Sequence, residues 1–470
     1  MALGRRSGER QEEFWAEVGS LARGPGHVFY DKLNRLLAEA GFDAFVEELC
    51  ASHYKSGGRG SVPPGNYFRM LFVGYLEGID SQRGIAWRCR DSLSLRRFLD
   101  VPLNEQTPDH SSLTRIRERL PLEIHQRVFQ FILGIVQSHA LIKASSVGVD
   151  STTLEANAAM KAIVRKDSGE DWNAYLTRLM REEGLIKKDE QPSDDELRRF
   201  DRRRGKRGGK QGKGGKKKVS NEQWHSPVDL EARIIKMKDG RTRLGYKAEH
   251  VIDLESEFIL SAQVYHGIEA DTATLLASVG AAQANLVESG NEQAIQEVVA
   301  DAGYHKSETI FEARQAGLRT YIPEPKLPFP KRWTDKPDGY QRVVHNNRRR
   351  NKRSKGRSHQ RKRSERVERS FAHVCETGGA RRSWLRGLEK INKRYLVHTA
   401  ARNLGLLMLQ RFGIGKPRTL QDEMAAWKVI LESFRGLISP PGILWTRRWL
   451  PIARLIAFVR VNRKSAALAA

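Results

Sequence analysis

Apolar positions recur at helical spacing from the start of the readable pattern. Phe29, Tyr30, Leu33, Leu36 and Leu37 fall on one face of a helix. Residues 67–78 (YFRMLFVGYLEG) are mostly apolar, which predicts a buried helix, and the break Val62-Pro63-Pro64-Gly65-Asn66 precedes it. A further helix ends in residues 94–99, before Pro102. Thr107 or Asp109 can cap the next helix, with Pro108 in its first turn and Arg115 and Arg117 projecting from it. Short helices ending in a capped basic one fit a helix-turn-helix-like module, and a plain helical bundle with a solvated basic face fits slightly better. The helical region spans 27–140.

The period changes near Ser145. Val147-Gly148-Val149-Asp150 is an apolar, strand-like run closed by an acid, and Val298-Val299-Ala300-Asp301 repeats the form. Between them, residues 245–254 and 258–265 read as two strands joined by a turn at Glu255-Ser256-Glu257, followed by a helix over 272–287 that Asp271 would cap. A helix over 307–316, a short strand at 319–323 and helical pattern from Arg361 onward complete an α/β layer of 145–410. Beyond 415 a helical extension is expected, with Trp445, Trp449 and Leu450 as a docking face.

Charge changes this picture in two places. Residues 202–218 hold ten Lys or Arg and 342–363 hold eleven, neither with an acid, inside basic insertions drawn at 155–230 and 327–363. Glycine and like charge predict a disordered loop for the first, and both read as loops flanking a site crossed by a polyanion. The whole chain, 470 residues with 39% hydrophobic content, carries a formal charge of +26 and a pI near 10.1. That favours a nucleic acid as partner over a membrane. The apolar stretch at 450–461 is too short and is interrupted by Arg454 and Arg460, and residues 1–12 lack a signal-peptide core, so a cytoplasmic, nucleoid-associated protein is expected. Cys50, Cys89 and Cys375 support neither a disulfide framework nor a zinc site.

Phosphodiester chemistry on such a polyanion is served by two magnesium ions roughly 3.5–4 Å apart, held by a few carboxylates converging from separate segments. Asp150 and Asp301, each at the end of a strand-like run, meet that requirement, although a lone Asp there more often forms a turn or a cap. Glu368 lies beside the face formed by Val367, Phe371 and Val374, with Glu365 one turn earlier as its rival. An ion pair with the surrounding arginines would explain either glutamate equally well.

The blocks 147–160 (VGVDSTTLEANAAM), 232–267, 298–306 (VVADAGYHK) and 367–390 resemble, in order, those of bacterial insertion-sequence transposases, nearest the IS-eleven-eighty-two branch and its IS-five relatives. The resemblance spans roughly residues 30–410. It implies a ribonuclease-H-like mixed sheet core behind an N-terminal all-helical DNA-binding or dimerisation domain. It also implies a DDE site of Asp150, Asp301 and Glu368 using two Mg²⁺, for which Mn²⁺ can substitute. The implied reaction is cleavage at element ends followed by attack of a 3′-hydroxyl on target DNA. Double-stranded DNA, as terminal inverted repeats and as target, is the implied partner of a homodimer formed at synapsis. The Tyr, Arg and Lys that related families place around the glutamate are replaced here by Arg361, Ser364 and Cys375. Lys306, Arg361, Arg366, Arg369, Arg381 and Arg382, with Arg115 and Arg117, are the expected DNA contacts. A nuclease without strand transfer, a catalytically inactive transposase-derived DNA-binding protein and an RNA-binding protein are the competing classes, the last disfavoured by its need for aromatic-rich strands.

Overall fold

The structure is a computed structural model that describes residues 27–55, 61–187, 189–207, 221–237, 240–326, 333–334 and 336–417. The expected C-terminal extension, with Trp445 and Trp449, lies outside the described residues from position 418 on. The helical start forms α1 (Val28–Glu39), α2 (Phe42–Cys50), α3 (Pro64–Glu77), α4 (Gln82–Asp91), α5 (Leu93–Phe98), α6 (His110–Arg119) and α7 (Leu122–Ser138). Pro64 opens α3 where no backbone donor is needed, and Gly78 closes it at φ 71°, a conformation that costs glycine little. Asp109 is the N-cap of α6, accepting from the Ser111 amide at 3.3 Å. Pro108 stands ahead of that cap, outside the first turn expected for it, and Thr107 is buried.

The strand expected to close at Asp150 is longer. β1 (Ser146–Glu155) is followed by a small unit of β2 (Val164–Arg165), α8 (Trp172–Glu182), α9 (Asp194–Arg207) and β3 (Trp224–His225), the two strands being paired with each other. Its core is aromatic: Trp172 and Tyr175 pack on Trp224 at ring-centroid distances of 5.1 and 5.4 Å. The basic segment expected to be a loop from 202 is therefore helical through Arg207, and 208–220 lies outside the described residues.

The main sheet adds β4 (Arg233–Lys236), β5 (Thr242–Asp253), β6 (Ile259–His266), β7 (Glu297–Val299) and β8 (Arg319–Tyr321). Its order is β6-β5-β1-β7-β8, with β4 continuing the outer edge of β5; β6, β5 and β1 run antiparallel, while β1, β7 and β8 run parallel. The connections are α10 (Asp271–Glu288) before β7 and α11 (Ser307–Gln315) before β8. Then come α12 (Tyr340–Lys352), α13 (Ser354–Phe371), a π-helical turn over 372–377 and α14 (Leu388–Phe412). The second basic segment is thus not a loop: Lys and Arg are good helix formers, and 342–363 makes most of α12 and the first half of α13.

Helix α14 is the common floor. Lys390 pairs with Glu118 of α6 at 2.6 Å, and Asn403 bonds the Ile259 backbone of β6 in both directions (3.0 and 2.8 Å). One continuous apolar core runs from Phe29 in α1 to Met408 in α14, so the N-terminal helices and the sheet are buried together. Among the described residues no helix is long and apolar enough to cross a membrane.

Candidate active site

The geometry begins with a difference in strand length. Parallel pairing of β1 to β7 stops at Gly148 opposite Val299, whereas antiparallel pairing of β1 to β5 runs on to Glu155. Asp150 therefore sits inside a strand, opposite His250, yet just beyond the point where its other neighbour has ended. Asp301 follows β7 on the same side of the sheet, where its carboxylate caps a single 3₁₀ turn by accepting from the Gly303 amide at 2.9 Å. The two acids leave adjacent parallel strands at the same rim.

Helix α13 crosses over β1 at close range. A Cβ on Gly148 would lie 3.0 Å from Val367 and 2.7 Å from Leu254, so glycine is what lets the helix approach. Val367 and Val374 are fully buried and Phe371 nearly so, each such side chain contributing on the order of 1.5–3 kcal/mol. Phe371 stacks on His250 at 4.0 Å, and the His250 ring bonds Ser370 and Tyr395, each at 2.8 Å. Burial, with Arg402 nearby, pushes His250 well below its ordinary pKa, so it is neutral there.

From this face Arg363 of α13 reaches Asp150 at 2.7 Å, with the two side chains 11% and 18% exposed. Glu368, one residue round from Val367, is exposed and makes no side-chain hydrogen bond or ion pair among the described residues. Its rival Glu365 does what a surface glutamate does: it pairs with Arg369 one turn on at 2.5 Å, and Arg369 also holds Glu257 at 2.8 Å.

The opposite face of β1 and β5 carries acids that sequence reasoning set aside. Strand alternation sends Ser151, Lys247 and Glu249 toward α10. Glu249 is 1% exposed and accepts from Thr274 and Tyr304, each at 2.8 Å; Lys247 lies 3.5 Å from it. The Tyr304 hydroxyl is driven well above its ordinary pKa by burial and by Glu249. Asp271 is not the cap expected of it. Ala270 holds that position, and the Asp271 carboxylate accepts from Ser151 at 2.9 Å and Lys247 at 3.1 Å. A Cβ on Gly303 would stand 3.0 Å from an Asp301 oxygen and 3.1 Å from an Asp271 oxygen, so the two carboxylates face each other across that glycine. The signal for this network was present in the sequence: Lys247 and Glu249 share one face of a strand otherwise bound for the core.

The expected DNA contacts divide. Arg361 and Arg382 are exposed near the rim elements, Arg115 is exposed on α6, and Lys306 is exposed beside Glu308. Arg117 is turned inward instead. It is 6% exposed, lies over the Trp384 ring at 5.2 Å, and is not placed to meet a phosphate. Arg366 is spent on the Leu254 and Glu255 carbonyls, Arg369 on Glu257 and Glu365, and Arg381 on Glu376, Thr152 and the Thr153 carbonyl. These three brace α13 and the turn after it against the sheet.

Asp150, Asp301 and Glu368 offer oxygen donors only, the set that magnesium or manganese prefers. Asp150 meets the Arg363 guanidinium in the free protein. As the side chains stand, no three His, Cys, Asp or Glu among the described residues are gathered closely enough to hold a metal ion.

Comparison with known proteins supplies the remaining finding. Residues 20–119 match the family model of a transposase domain (DUF772), and residues 209–404 match that of a transposase DDE domain. The second match contains Asp301 and Glu368 and begins after β1, which carries Asp150. No curated protein and no solved structure matches the chain. Along the chain, a stretch similar to a DUF772 transposase domain is thus followed by one similar to a transposase DDE domain.

Proposed function

We propose that this transposase cleaves the ends of an insertion sequence and joins them to target DNA, with Asp150, Asp301 and Glu368 as its acids. The observation that carries the reading is the shared rim. Asp150 and Asp301 leave the adjacent parallel strands β1 and β7 on one side, and α13 crosses that rim with Glu368 beside the residue that touches β1. With β4 and the β2–α8–α9–β3 unit left out, Asp150 lies in the first core strand, Asp301 follows the fourth and Glu368 stands on a helix after the fifth, an order that supports a ribonuclease-H-like reading.

Asp150 and Asp301 would hold both divalent cations, and Glu368 would complete one coordination sphere. When bound, two such ions supply an activated oxygen nucleophile and neutralise charge at phosphorus. The residues of the chain do the rest. Arg363 pairs with the Asp150 carboxylate in the free protein and would be released toward phosphate when Asp150 takes a ligand. The Lys247–Glu249–Asp271 network fixes β5, α10 and the Tyr304 turn, which holds Asp301 at the end of β7. Arg361, Arg382 and Lys306 are placed to meet the DNA backbone, and synapsis of two ends implies a dimer.

The test is cleavage of labelled duplex carrying the gene's own flanking ends, in magnesium, by wild type and Asp301→Asn. Nicks at the ends that depend on metal and vanish in the variant are the expected result. Binding without cleavage, equal in both proteins, would replace this reading with that of a DNA-binding relic.

A further inference from the structure

Outside the rim, a strongly basic concavity lies along the open edge of the sheet. A cleft of about 810 Å³ opens to solvent between α11, β8, α12 and the start of α13. Its wall carries Arg314 from α11, Arg319 from β8, Arg342 and Arg350 from α12, and Arg353 and Lys355 at the α12–α13 junction. Among the described residues no carboxylate lines it.

Two of these cations are anchored from behind. Arg350 donates to the Thr320 carbonyl at 3.0 Å and to its hydroxyl at 3.2 Å. Lys355 donates at 2.6 Å to Glu297, a buried acid that also accepts from Ser146, Tyr321 and His359. The other four are exposed at the cleft surface. Burial lowers the Arg350 pKa, and the like charges of Arg314 and Arg319 act in the same direction. Such an arrangement is relieved by an anion that meets several of them at once.

We propose that this cleft is a second DNA track, which takes the phosphate backbone of duplex DNA flanking the cleaved end. The inference rests on the reading of the Asp301 rim as the place of cleavage. Arg319 pairs in register with Glu297 at the start of β7, four residues before Asp301. At ~3.3 Å per strand residue the cleft begins roughly 13 Å from that acid, about four base-pair steps along a duplex. A small-anion pocket would enclose its ligand with a few convergent groups. Six cations spread over four elements on an open wall suit a polymer with regularly spaced charges.

The experiment uses the full chain with Arg314, Arg319, Arg342 and Arg353 changed together to alanine, sparing Arg350 and Lys355, which support the fold. Duplex affinity is measured against salt concentration. Each lost phosphate contact should flatten the log–log slope by ~0.9, so a variant with an unchanged melting temperature should lose about 3–4 from the slope. Arg-to-Lys changes at the same four positions should restore the slope. Should the alanine variant melt early, Arg314→Gln and Arg342→Gln singly carry the test, each expected to remove about 0.9. Wild-type slope and affinity in the folded variants would overturn the cleft, while metal-dependent cleavage lost in Asp301→Asn would still stand. Inorganic phosphate that protects the wild type and not the variants, with duplex binding unaffected by the substitutions, would reassign the cleft to a small anion. A wild type that binds no duplex would defeat both readings together.

Discussion

The two faces of the β1–β5 ladder carry the same chemistry and put it to different uses. Toward α13 stands Asp150, part-exposed, with the Arg363 guanidinium on it and an open rim beyond. Toward α10, one residue along, Glu249 is sealed in with Lys247, Thr274 and Tyr304, and its neighbour Asp271 is tied to Ser151 and Lys247. An acid with a replaceable partner at an opening can take a ligand, whereas an acid with several fixed partners in the interior holds the scaffold. What separates the roles is accessibility and the number of partners, not the type of residue.

The largest expected effects break that contrast from its catalytic side. Asp150→Asn and Asp301→Asn should each lower cleavage by on the order of 10³-fold or more, as loss of a catalytic group does, with little change in melting temperature. An equal fall in stability would assign both acids to the scaffold.

On the other face the losses should appear in stability. Glu249→Ala leaves Lys247, 5% exposed, with only the part-exposed Asp271 as counter-charge and removes the acceptor of Thr274 and Tyr304, which should cost about 3 kcal/mol in denaturant unfolding. The double change Lys247→Met, Glu249→Leu should recover only part of it, because it removes the buried charges and also the cation that Asp271 meets. If Glu249→Ala instead keeps its stability and loses only cleavage, the inner network belongs to the reaction.

A third effect is set by buried imidazoles. His125, bonded to Tyr67 at 3.1 Å and the Pro121 carbonyl at 3.0 Å, is held by burial at a pKa of about 3, and His250 beneath α13 is lowered likewise. The folded state keeps both neutral, while the unfolded chain takes up a proton below about 6.5. Their contribution is complete above 6.5 and is lost as pH falls from there toward 3, with the unfolded state binding the extra protons. At ~1.4 kcal/mol per pKa unit the loss reaches a few kcal/mol. The melting temperature should fall steadily between pH 6.5 and 4, and His125→Gln should flatten that fall.

Much of this arrangement is legible in the sequence, because period and punctuation mark it. The helical spacing from Phe29 to Leu37, the break at 62–66, the paired strands before and after Glu255, and the two apolar runs closed by Asp150 and Asp301 correspond to α1, α3, the β5–β6 hairpin, β1 and β7. What was not legible depends on partners far away in the chain. Residues 342–363 read as a basic loop because their inward face beyond Val344 is polar. Asn347 bonds the backbone of Ile322, Gln360 the carbonyls of Ala300 and Tyr321, and His359 the buried Glu297. Hydrophobic periodicity cannot report a helix docked by hydrogen bonds. The length of β1 beyond Asp150 is likewise set by β5, and the inward turn of Arg117 by Trp384, which follows it by more than 260 residues.

The smallest expected effect decides the third acid. Glu365 and Glu368 lie on one helix, three residues apart, and both are exposed. Glu365 spends its charge on Arg369, an exposed i,i+4 pair worth about 0.3–0.5 kcal/mol. Arg369 keeps Glu257 as a second partner, so little of its position depends on Glu365. Glu365→Gln should therefore shift the melting temperature by a degree or so at most and leave cleavage at wild-type rate, because nothing else rests on that carboxylate. Glu368 has no such partner among the described residues, so its removal leaves no local pair unsatisfied. Any loss of cleavage in Glu368→Gln at unchanged stability then belongs to the reaction. If the pattern is reversed, with cleavage lost in Glu365→Gln and kept in Glu368→Gln, α13 must turn by about 60° about its axis, the offset of residues three apart, to bring Glu365 to the rim. The buried Val367 and Phe371 resist that rotation, so such a result would require α13 to repack on β1.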